Sequence, residues 1–141
     1  MKTEIYLSRK TQVTIRLVLC LSGLVASGIA VMILLAPDAF YASYGIELSS
    51  NATLANEMKA PAGGLFLAGL IMLFGVFRSS FVALSLATAA GVYLSYGLGR
   101  IASIAIDGLP QSGMVAAAGI ELVVGTVCLL TLMYARKGGT V

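Results

Sequence analysis

Residues 81–110 read FVALSLATAAGVYLSYGLGRIASIAIDGLP. From Phe81 to Ile106 every residue is apolar, small or weakly polar except Arg100, and Asp107-Gly108-Leu109-Pro110 ends the run. A helix needs roughly 20 apolar residues to cross the hydrocarbon core of a bilayer, so this stretch is long enough to span. Three other runs have the same character: Leu17 to Ala36, stopped by Pro37-Asp38; Ala60 to Phe77, stopped by Arg78-Ser79-Ser80; and Met114 to Ala135, broken only by Glu121 and stopped by Arg136-Lys137-Gly138-Gly139. Proline, glycine and charge are the usual stop signals of a helix. The expectation is an all-α, four-transmembrane-helix antiparallel bundle in a single integral membrane domain over 1–141, with helices over about 13–36, 52–77, 80–107 and 112–135.

Composition agrees with that pattern. The chain is 59% hydrophobic and 11% charged, whereas soluble domains carry about 25% charged residues. A soluble fold with this balance would expose large apolar patches; lipid removes the difficulty. The net charge of +3 does not imply nucleic acid, because the basic residues sit at segment ends and form no face. His and Trp are absent, which excludes Ser-His and Cys-His nucleophile systems and most zinc chemistry. Cys20 and Cys128 lie inside apolar runs with no CxxC spacing and read as small buried hydrophobes. No metal and no cofactor is expected. The length of the first run favours an uncleaved anchor over a signal peptide.

Charge also predicts orientation. The N-terminus, the 78–80 turn and the C-terminus fall on one side and hold Lys2, Arg9, Lys10, Arg16, Arg78, Arg136 and Lys137, seven of the nine Lys and Arg. The other side has Lys59 alone, with Asp38, Glu47 and Asp107 in its loops. Basic loops stay in the cytoplasm, so a bacterial inner membrane protein with cytoplasmic N- and C-termini is expected. In the 37–59 connection, Phe40, Tyr41 and Tyr44 suit the bilayer interface, and a short interfacial helix is expected there. Ser49-Ser50-Asn51 offers N-caps for the second span.

Small residues recur every four positions. Ala60, Gly64 and Ala68 mark the second span, and Ala83, Ala87, Gly91, Ser95, Gly99 and Ser103 the third. Helices in lipid associate through such residues, so the stripe is expected to be a packing seam, within the bundle or between copies. Charges inside spans usually face the bundle interior or water. Tyr93, Tyr96, Arg100, Ser103 and Asp107 follow the 3-4 spacing that places them on one helix face. Arg100 and Glu121 each lie about seven residues from the turn at 107–113, so an ion pair between antiparallel neighbours is expected. Glu57, one turn before Pro61, enters from the same side, and Pro61 leaves the Glu57 carbonyl without its helical donor. The candidate site is therefore Glu57, Tyr93, Tyr96, Arg100, Ser103, Asp107 and Glu121, as a ligand site or a structural network; no catalytic residue is indicated.

Several short stretches resemble a known family. They are Ala36-Pro37 to Phe40-Tyr41 with Tyr44-Gly45-Ile46, Glu57 through Ala62-Gly63-Gly64, Gly99-Arg100 with Ser103, Asp107-Gly108-Leu109-Pro110, and Glu121. In order and spacing the chain is similar to small four-helix bacterial membrane proteins grouped as a domain of unknown function, distantly DoxX-like. The resemblance implies a four-helix membrane fold and no established activity. Three functions stay open. One is a non-enzymatic accessory or ligand- or lipid-binding protein, which small size and the lack of nucleophile and cofactor motifs favour. Another is a DoxX-like quinone-linked redox component. The third is a proton or small-solute transporter, for which carboxylates in spans are suited. The partners expected are the lipid bilayer and a membrane protein, either another copy of the chain or a different one.

Overall fold

A chain segment in lipid must satisfy its own backbone polar groups, and a helix does so within a single segment. In the computed structural model, which describes residues 9–48 and 51–138, the elements are α1 (Arg9–Leu35), α2 (Pro37–Ala42), α3 (Ala52–Phe77), a 3-10 turn (Ser79–Phe81), α4 (Val82–Asp107) and α5 (Ser112–Gly138). No strand occurs among the described residues. Thr11–Leu35, Ala52–Phe77, Ser79–Asp107 and Ser112–Arg136 are long and apolar enough to cross a membrane, so the chain is a multi-pass membrane protein. Lys2 and the cap candidates Ser49 and Ser50 lie outside the described residues, as do the side chains of Arg9, Lys10 and Lys137.

The helix ends follow local chemistry. Ala36 takes φ −139°, ψ 58°, and Pro37 opens α2: a residue before proline is pushed out of the helical region, and proline suits the first helical turn. Gly45, at φ 71°, reverses the chain after α2; only glycine adopts that conformation without strain. Asn51 caps α3, its side chain accepting from the Leu54 N–H at 3.1 Å. α3 then continues through Pro61 to Phe77. Gly108, at φ 96°, closes α4.

The helices pack as two pairs. α1 packs chiefly on α3 and α4 chiefly on α5, while α3 against α4 joins the pairs; α1 meets α4 and α5 only slightly. Within each pair the backbones approach closely at glycine. A Cβ added at Gly23 of α1 would lie 2.9 Å from the Gly69 carbonyl of α3. Between α4 and α5 the fit is reciprocal: Leu122 fills the space over Gly97, and Leu94 the space over Gly125. The pairs join in the half that carries the termini. There Leu19, Met72, Leu86 and Cys128, one from each spanning helix, are wholly buried. Gly75 sits against Ser85, whose hydroxyl donates to the Ile71 carbonyl across the α3–α4 seam at 2.6 Å.

The small-residue stripe packs within the bundle over only part of its length: Ala68 is in the core, and Ala83 and Ala87 pack against it. Nothing lies within 4 Å of a Cβ built at Gly64, Gly91 or Gly99, and Ser95 and Ser103 are exposed. α3 and α4 converge where Gly75 meets Ser85, near their shared turn, and the stripe beyond that level faces open space. The close contacts use Gly23, Gly69, Gly75, Gly97 and Gly125, which a period of four does not connect.

Candidate functional site

Between the two pairs, in the half that carries α2, lies a cavity of about 580 Å³. Ligand pockets are typically about 300–1,000 Å³ and mostly apolar with a few placed polar groups. This one has that character. Its apolar wall comes from α1 (Val25, Ile29, Ile33), α3 (Met58, Leu65) and α5 (Met114, Ala117). Its polar wall is mainly α4, where Ser95, Tyr96, Gly99, Arg100 and Ser103 line it, faced by Glu121 of α5. Val92 and Ser103, both lining residues, are about 16 Å apart along the helix at 1.5 Å per residue.

The Arg100 Nε donates to Glu121 Oε2 at 2.9 Å, and this is the one ion pair among the described residues. The side chains are 34% and 15% exposed, so the pair is partly withdrawn from solvent without being sealed. An arginine carries more N–H donors than a single bond uses; the terminal guanidinium nitrogens and Glu121 Oε1 make no hydrogen bond among the described residues. α4 and α5 are antiparallel neighbours joined by a short turn, which brings the two charges to one depth.

Of the residues singled out in the sequence, Tyr93, Tyr96, Arg100, Ser103 and Glu121 line the cavity together. Tyr93 has a structural tie: its hydroxyl donates to the Ser22 carbonyl of α1 at 2.8 Å in a buried bond between the pairs. Ser103 donates to Asp107 at 3.0 Å, but Asp107 is exposed and outside the lining. Glu57 is exposed as well, makes no ion pair among the described residues, and lies outside the lining, although its neighbours Met58 and Pro61 are in it.

The lining also includes Phe40, Tyr41 and Tyr44 of α2 and the segment after it, which the sequence offered only as interface anchors. Their spacing, i, i+1 and i+4, puts them on one side of a helical turn, and α2 folds that side over the cavity end. The rings pack edge to face, with centroids 5.2 Å apart for Phe40–Tyr41 and 5.5 Å for Phe40–Tyr44. Burial pushes the Tyr41 phenol above its ordinary value and Tyr96 adds to this, against an opposing pull from Arg100. Tyr41 is therefore a neutral hydroxyl at physiological pH. The hydroxyls of Tyr41, Tyr44 and Tyr96 have no hydrogen-bond partner among the described residues.

No group of three or more His, Cys, Asp or Glu side chains among the described residues could hold a metal ion. The arrangement can accept an elongated apolar group along α1, α3 and α5 and hydrogen-bond a polar group at Arg100, Glu121 and the tyrosines. These features define a small multi-pass membrane protein with a mostly apolar cavity between its helix pairs. The chain belongs to the family described as domain of unknown function DUF4345, whose model matches residues 14–132. No curated protein and no solved structure matches it.

Proposed function

We propose that this protein is a non-enzymatic binder of a lipid-like ligand, resident in a bacterial inner membrane with both termini in the cytoplasm. The observation that carries the reading is the cavity of about 580 Å³, apolar along α1, α3 and α5 and polar at Arg100, Glu121, Tyr96 and the tyrosines of the α2 segment. An amphiphile enters such a site from the bilayer with its head toward the interface and its chain between the helix pairs. The excess of Lys and Arg on the terminal side supports the orientation, which puts the cavity in the outer half of the bundle.

The test compares lipids that co-purify with wild type and with Gly99→Phe from native membranes, read by mass spectrometry. Gly99 lines the cavity with free space around it, so the ring is expected to occupy the site without breaking the fold. A lipid enriched with wild type and lost in Gly99→Phe supports the reading. Gly91→Phe is the control, since Gly91 has equal space but lies outside the lining. Identical lipid profiles for all three proteins would sink the proposal. Orientation is checked separately: a reporter active only in the periplasm should be silent when fused after Val141 and active when placed near Asn51.

A further inference from the structure

The cavity constrains the head group of what it binds. Arg100 and Glu121 are the charged residues of its lining, and they are bonded to each other at 2.9 Å. The site therefore contains charge and has none in sum. An anionic head drawn to Arg100 would meet the Glu121 carboxylate beside it, and a cationic head drawn to Glu121 would meet the guanidinium. Either leaves an unbalanced charge where lipid and protein screen poorly, which is costly. The surroundings add to the bias against anions. At this end Asp38, Glu47, Glu57 and Asp107 outnumber the single Lys59, and a mouth of one sign repels ligands of that sign.

The free hydrogen-bonding capacity is balanced in the same way. The terminal nitrogens of Arg100 are donors and Glu121 Oε1 is an acceptor, while the hydroxyls of Tyr41, Tyr44 and Tyr96 serve as either; none of these has a partner among the described residues. A head with both hydroxyl and carbonyl groups satisfies both kinds of atom. Building on the lipid-like reading above, we infer that the ligand is an uncharged amphiphile with a hydroxyl- or carbonyl-bearing head, and that the Arg100–Glu121 pair selects against charged lipids.

Three oleoyl esters test this, since they share a chain and differ in head: monooleoylglycerol, its phosphate (oleoyl lysophosphatidic acid) and oleoylcholine. Their binding to the purified full chain in a non-ionic detergent is measured by native mass spectrometry. The uncharged ester is expected to bind at least about tenfold more tightly than either charged one, given the cost of like-charge contact. Glu121→Gln, which leaves Arg100 uncompensated, is expected to shift the ratio toward the phosphate by about tenfold. The wild-type series decides on its own should that variant not fold. Equal binding of all three heads, or preference for a charged head, overturns the inference; if Gly99→Phe abolishes that binding, the cavity reading survives. If binding is the same in wild type and Gly99→Phe, the cavity is not the site, and both readings fail together.

Discussion

Between the two helix pairs, the halves of the bundle use small residues in opposite ways. In the half that carries the termini, glycine removes distance: Gly75 lets Ser85 and Leu19 close on α3, and Leu19, Met72, Leu86 and Cys128 fill the centre. In the half that carries α2, Ser95, Gly99 and Ser103 leave the α4 wall bare beside a cavity of about 580 Å³. Lipid chains are as apolar as leucine, so helices in a membrane gain little from burying apolar surface and depend on close packing. The terminal half thus holds the two pairs together, and between them the α2 half, relieved of that task, can stay open for a guest. The contrast also explains why one pattern of small residues on α4 has no single meaning.

The sharpest way to break the comparison is to make one substitution in both halves. At Gly75 a new Cβ would fall 2.5 Å from Ser85 Oγ and 2.6 Å from its Cβ. Over-packing a core costs about 1–3 kcal/mol and occasionally more. Gly75→Leu is expected at or above the top of that range, with loss of folded protein in detergent. Gly99, in the α2 half, has nothing within 4 Å, so Gly99→Leu is expected to lower stability by no more than about 0.5 kcal/mol. Thermal unfolding followed by circular dichroism reads both, and equal losses would show that the α2 half is as tightly packed as the other.

A smaller effect is expected at the ion pair. Removing one partner of a buried pair costs about 3–5 kcal/mol, because the other charge is left uncompensated. Arg100 is about one-third exposed, which lowers the expectation to about 2 kcal/mol for Arg100→Ala or Glu121→Ala. Arg100→Met combined with Glu121→Gln removes both charges and should recover part of that loss. Single variants as stable as wild type would mean that the pair is solvated and contributes nothing to the fold.

Much of this was legible in the sequence, for physical reasons. Four apolar runs of spanning length leave little alternative to helices in lipid. The Arg100–Glu121 contact follows from arithmetic, since both charges lie about seven residues from one short turn. Spacing along a helix does not disclose how that helix is rotated or where it diverges from its neighbour. The stripe at Gly91 and Gly99 has the period of a seam yet faces open space, because α3 and α4 meet closely only near their turn. Glu57 and Asp107 enter from the same side of the bundle as the cluster but lie outside the cavity lining. The tyrosines of the α2 segment enter the site only because Ala36-Pro37 turns the chain back over the bundle, a tertiary consequence that local aromatic content does not reveal.

The finest test sets two tyrosines of α4 against each other, less than one turn apart. Tyr93 and Tyr96 both line the cavity, and in the sequence they are equivalent members of one face. The Tyr93 hydroxyl donates to the Ser22 carbonyl at 2.8 Å in a buried bond between the helix pairs. A net hydrogen bond contributes about 1 kcal/mol, so Tyr93→Phe should lower stability by about that amount. The ring remains, so the cavity keeps its shape and lipid retention should be unchanged. The Tyr96 side chain is more exposed, and its hydroxyl has no partner among the described residues. Tyr96→Phe should therefore leave stability within about 0.5 kcal/mol of wild type while weakening retention of monooleoylglycerol, whose head loses a partner. The two variants remove the same atom and should separate the two roles, one hydroxyl holding the pairs together and the other meeting the guest. If Tyr96→Phe costs stability and spares retention, its hydroxyl belongs to the framework. The polar wall of the cavity would then consist of Arg100, Glu121 and the tyrosines of the α2 segment.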